Sequence, residues 1–62
     1  MDRDNIREEK AGLDDRLARL FKFLRTEEFD DLDDTSKMLL RAQYYTMDAY
    51  SHILSLRLSI DE

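Results

Sequence analysis

Almost nothing in this sequence interrupts a helix. Proline is absent from all 62 residues, and glycine occurs once, at Gly12. An all-β chain needs turn residues at each reversal, and they are not here. Helices need only caps at their ends, and Asp, Ser and Thr supply those in quantity. The expected class is therefore all-α. A chain of this length buries only about 60% of its unfolded surface and is marginal alone. Small folds add disulfides, a metal or a partner chain. Cysteine is absent, and there is one histidine, His52, so disulfides and thiolate or multi-histidine zinc sites are excluded. Self-association is left as the expected stabiliser.

The apolar spacing divides the chain in two. Ile6, Leu13, Leu17, Leu20 and Leu24 form one heptad-type seam, interrupted at Lys10, and predict a first helix over about 4–25. Asp2 or Asp4 suits its start, and Lys22 and Arg25 suit its end. Phe21 and Phe23 widen the apolar face near that end. A connection follows, TEEFDDLDD at 26–34, with six acids in nine residues. Thr26 can cap a short turn carrying Phe29, and Asp33 can cap the next helix. Phe29 and Leu32 are expected to plug the end of the core.

The second helix is expected over about 34–60, and it carries two apolar seams. One reads Leu40, Gln43, Met47, Tyr50, Leu54, Arg57. The other reads Leu39, Ala42, Thr46, Ala49, Ile53, Leu56, Ile60. A single partner helix cannot cover both. The spacing thus predicts a single-domain, two-helix antiparallel hairpin over 1–62. The second seam, lined by small residues at Ala42, Thr46 and Ala49, is assigned to a dimeric or tetrameric bundle interface.

Net charge is −5, and residues 1–34 carry all of it, with 7 Lys and Arg against 12 Asp and Glu. Residues 35–62 hold 3 of each sign. This balance argues against duplex nucleic acid and against an anionic membrane surface as partners. There is no apolar run long enough to span a bilayer and no secretory signal pattern.

Few residue groups suggest chemistry. The acids Glu27, Glu28, Asp30, Asp31, Asp33 and Asp34 lack the glycine and the alternating oxygen ligands of a calcium loop. They read as caps and solvated charge, and no metal or other cofactor is expected. As an alternative they mimic phosphates toward a nucleic-acid-binding host protein. Asp48, His52 and Ser55 resemble a catalytic triad in composition only, since no oxyanion donors accompany them. No catalytic residue is assigned, and the chain is read as a binder and not an enzyme.

Arg41, Gln43, Tyr44, Tyr45, Tyr50 and Arg57 are more informative. Arg57 in an apolar seam reads first as structural, snorkelling to the helix end or pairing with an acid of the first helix. The alternative is a ligand site, since arginine fits phosphate geometry and tyrosine faces stack on bases. Local cations are few in the second half, namely Lys37, Arg41 and Arg57. Arg16 or Arg19 of the first helix can add to them across a subunit contact. Two-fold symmetry would present each arginine twice, which suits a ligand with two phosphates or a cyclic phosphodiester.

A joint order of residues adds a resemblance. Glu9 and Leu13 are followed by Arg16-Leu17, Leu20, Phe23-Leu24, Phe29 and Leu32. The order continues through Leu39-Leu40, Gln43, Met47, Tyr50, Ile53-Leu54 and Arg57. Over most of its length the chain resembles the crAss-phage-related family of very small phage and prophage proteins. That resemblance implies a helical hairpin from an accessory gene, active in the cytoplasm of an infected or lysogenic bacterium. In length and plan the chain is also similar to the Rop type of four-helix bundle, without its basic RNA-binding face. The leading functional expectation is a counter-defence protein that sequesters a nucleotide-type immune signal between subunits. One alternative is inhibition of a host protein through a helical or acidic surface. A second is a structural or regulatory adaptor.

Overall fold

The computed structural model of the chain describes residues 2–60. The expected domain span, 1–62, includes positions 1, 61 and 62, which lie outside the described residues. Helix α1 covers Arg3–Phe23, α2 is a single turn at Glu27–Asp30, and α3 covers Asp34–Ile60. The described residues contain no strand.

Caps fix the boundaries where the sequence offers no Pro or Gly to do so. The Asp2 carboxylate accepts from the Asp4 amide at 3.3 Å and opens α1. Thr26 acts on both sides of the first break. Its hydroxyl donates to the Phe23 carbonyl at 2.7 Å, closing α1, and accepts from the Phe29 amide at 3.2 Å, opening α2. Asp33 accepts from the Ser36 amide at 2.7 Å and opens α3. Each cap satisfies a helix-end amide or carbonyl that would otherwise depend on water. The acids of the connection also favour the positive ends of α2 and α3.

α1 and α3 pack along one another with low residue numbers against high. Arg3 Nη1 donates to the Leu58 carbonyl at 3.1 Å, and Lys10 Nζ to Ser51 Oγ at 3.3 Å. At the other end the Phe21 and Tyr44 rings meet at 5.9 Å. The result is a rod of 45 × 15 × 13 Å.

Its core is thin. Ile6, Leu13 and Leu54 are buried together, with Met47 and Leu58 packed against them. Phe29, also buried, sits edge-on to Phe23 at 6.1 Å and stoppers the α2 end. Leu32, three residues on, is half-buried.

The inner face of α3 differs from the expected first seam. Leu40, Tyr44, Met47, Ser51, Leu54 and Leu58 form a buried or half-buried row, whereas Gln43, Tyr50 and Arg57 are exposed. The reason is geometric. Five steps from 40 to 58 average 3.6 residues, the true period of an α-helix. Five steps from 40 to 57 average 3.4, so that row winds off the contact face.

Lys10, which interrupts the α1 seam, remains at the interface because polar partners meet it there. Its ammonium lies 2.6 Å from Asp14 Oδ2, and it also donates to Ser51 Oγ. Ser51, buried on α3, donates in turn to Asp14 Oδ1 at 2.5 Å. The three groups satisfy one another and fix the register of the two helices.

This network makes stability depend on acid. Hydrogen bonds from Lys10 and Ser51 hold the Asp14 carboxyl below its ordinary range, and bonds from Ser36 do the same for Asp33. A depressed folded-state pKa contributes stability above the unfolded value of about 3.9 and loses it as pH falls through the folded one. Thermal melts are expected to hold their midpoint from neutrality to about pH 5 and then fall. Asp14→Asn should flatten part of that decline. An identical acid limb in the variant would remove Asp14 from the account.

Candidate ligand-binding site

Cations and aromatic rings gather at one end of the rod, where α1 stops and α3 begins. Phe21 and Tyr44 face each other across the helix pair, tilted by 36°. Tyr45 stands edge-on to Tyr44 at 5.7 Å. The Arg25 guanidinium lies 5.4 Å from the Phe21 ring centre, and that of Arg41 lies 5.1 Å from the centre of Phe29. Ring faces attract both guanidiniums and hold them in place, leaving their N–H groups to meet an anion.

Two hollows share Phe21, Arg25 and Tyr44 as walls. The larger is an open groove of about 540 Å³, also lined by Asp14, Leu17, Ala18 and Lys22. Its volume falls within the usual range for small-ligand sites. The smaller, about 200 Å³, is closed by Leu24, Arg41 and Tyr45. Arg25 lies four residues after Phe21, in the turn that follows α1, and Arg41 lies one turn before Tyr45 on α3.

The six expected ligand residues fall into two groups. Arg41, Tyr44 and Tyr45 meet at the smaller hollow, and Tyr44 alone of them also lines the groove. Gln43, Tyr50 and Arg57 lie on another flank of α3. There the Tyr50 hydroxyl donates to the Glu9 carboxylate, and the Gln43 amide approaches the Met47 sulfur at 3.8 Å. Glu9 pushes the Tyr50 phenol above its ordinary value, and the Arg57 charge works the other way. Sequence reading missed Phe21, Lys22 and Arg25 as site residues, treating them as seam filler and dipole partners. The Phe21–Arg25 spacing of four was the available signal.

The remaining polar groups are placed more simply. His52 Nε2 lies 3.8 Å from Asp48 Oδ1 on the outer face of α3. Arg19 pairs with Asp15 one turn away on α1. Among the described residues no group of three or more His, Asp or Glu is arranged to hold a metal ion. No helix among them is long and apolar enough to cross a membrane.

The assigned interface seam is bare. Leu39, Ala42, Thr46, Ala49, Ile53, Leu56 and Ile60 are all exposed.

No curated protein and no solved structure matches the chain. A family model does: the one described as Sequestin matches residues 3–60, spanning all three helices. The chain therefore belongs to the Sequestin family, and with it to a class of small sequestering proteins.

Proposed function

We propose that this protein is a non-catalytic sponge. In this reading, copies of a helical hairpin associate and withdraw a small nucleotide-type anion from solution. A phage or prophage accessory protein opposing host defence is the setting that fits best, with the bacterial cytoplasm as its location. One observation carries the reading. In a chain of net charge −5, Lys22, Arg25 and Arg41 line two adjoining hollows that share Phe21, Arg25 and Tyr44 as walls. Phosphate would meet the guanidiniums, and a base would lie against Phe21, Tyr44 or Tyr45. The overall charge repels anions at a distance, but salt screens that field within about 8–10 Å. Affinity then rests on these local groups, and the family membership supports sequestration as their purpose.

Calorimetric titration with a panel of cyclic and linear nucleotides tests this. At least one nucleotide should bind, and Arg25→Ala or Arg41→Ala should each weaken it by about 10–100-fold, the usual cost of a charge-assisted contact of roughly 1.5–3 kcal/mol. Both arginines are exposed, so helix content should not change. No heat from any nucleotide at tens of micromolar would overturn the sponge reading.

One feature favours a second reading, inhibition of a host protein. The acids Glu27, Glu28, Asp30, Asp31, Asp33 and Asp34 are all exposed in one short segment. Capture of a single nucleic-acid-binding host protein by the ligand-free chain would support it.

A further inference from the structure

We infer that a second copy of this chain docks antiparallel along α3, about a two-fold axis beside Ala49. The inference rests on the self-association proposed above and adds its geometry.

Exposure defines the surface. The bulky apolar side chains left in solvent on α3 are Met38, Leu39, Tyr45, Tyr50, Ile53, Leu56 and Ile60, each 37–80% exposed. At about 100° per residue, all seven fall within an arc of about 140°, facing away from α1. Taking roughly 200 Å² for a whole large side chain, they present roughly 800 Å². That is about what each partner brings to a standard interface. The whole chain exposes 4797 Å². A compact monomer of its 7.5 kDa would expose about 4,250 Å².

The size pattern along the face selects the direction. Its first half is small at Ala42, Thr46 and Ala49, and its second half is large at Ile53, Leu56 and Ile60. Positions equally far from Ala49, within one residue, pair large with small. Leu56 lies opposite Ala42, Ile53 opposite Thr46, and Ala49 opposite itself. Leu39 and Ile60 then cover each other at the two ends. Antiparallel helices can thus keep one spacing along their whole length. In a parallel pair Leu56 would meet Leu56 and Ala42 would meet Ala42. The helices would crowd around Leu56 and leave a gap around Ala42.

Charge selects the same direction. The acidic connection adjoins the start of α3 in each copy. Parallel docking would set two such segments side by side, twelve acids in all. Antiparallel docking places them at opposite ends of a helix of 27 residues, about 40 Å apart and several screening lengths away. The surfaces brought together lie on α3, where residues 35–60 hold a single acid, Asp48, beside Lys37, Arg41 and Arg57. The same symmetry sets Tyr50 beside the partner's Tyr50, and Gln43 beside the partner's Arg57. The exposed polar flank of α3 thereby becomes a composite of two chains.

The absence of native cysteine makes crosslinking a clean test. A disulfide requires Cα atoms about 4.4–6.8 Å apart. Ala49→Cys alone should form a covalent dimer under mild oxidation. Neither Ala42→Cys nor Leu56→Cys should do so alone, but an equimolar mixture should give the heterodimer. Sedimentation of the parent chain at micromolar concentration runs alongside, and circular dichroism checks each variant's helix content. A monomeric parent overturns both self-association and this geometry. A larger parent in which Ala42→Cys and Leu56→Cys each self-crosslink, or in which no cysteine crosslinks, overturns the antiparallel arrangement alone.

Discussion

Leu54→Ala should leave little folded protein at 25 °C. Leu54 is fully buried in one cluster with Ile6 and Leu13, and Met47 and Leu58 pack against that cluster. Truncating a buried leucine removes its transfer energy and leaves a cavity, at a cost of about 2–5 kcal/mol. A core of this size rarely yields more than about 3–5 kcal/mol in total. Thin helices offer few neighbours to collapse into the space, which favours the upper part of that range. Urea titration followed by circular dichroism reads the loss. Ile53→Ala, one residue away on the exposed face, is the internal comparison. Its effect should shrink as the protein is diluted, because in the proposed dimer its packing partner is another chain. If the two variants lose equal stability at every concentration, Leu54 is not the centre of the fold.

Ala49→Glu is the second large effect, and it acts on assembly. In a single chain Ala49 is exposed, so glutamate there costs only a few tenths of a kcal/mol in helix propensity. In the proposed dimer the site lies at closest approach, and symmetry places two carboxylates together in a dry seam. Burying such charges unpaired costs several kcal/mol. The expected result is a monomer by sedimentation, with a lowered and concentration-independent melting temperature. Ser55→Glu, on the polar outer face, should change neither mass nor melting. An Ala49→Glu protein that keeps the parent's mass and melting point would return α3's bare face to solvent.

Much of the fold was legible because its determinants are local. Asp2, Thr26 and Asp33 are capping residues by type, and each caps a helix in the structure. The α1 seam from Ile6 to Leu24 was legible because its leucines recur with little drift. On α3 the reading slipped. Two apolar rows run side by side there, and alternate steps of three and four can begin with either. Starting with three led through Tyr50 to Arg57, off the contact face. Starting with four leads through Tyr44 and Ser51 to Leu58. Ser51 had no signal of its own, since a serine enters an interface only when partners such as Lys10 and Asp14 await it. The groove was half legible for a similar reason. Arg41, Tyr44 and Tyr45 are neighbours in sequence, but Phe21, Lys22 and Arg25 join them only once α1 lies against α3.

The thin core also bears on how such a protein behaves in a cell. With four buried apolar side chains among its described residues, a chain that completes its interior in the proposed dimer draws its stability from its own abundance. At low copy number, dilution itself acts as the denaturant, and unpaired chains are open to proteolysis. Well below the dissociation constant, folded dimer rises with the square of the amount synthesised. Doubling expression there quadruples the available binding capacity. In the proposed dimer the shape of the molecule thereby converts a graded transcriptional signal into a sharper onset of activity.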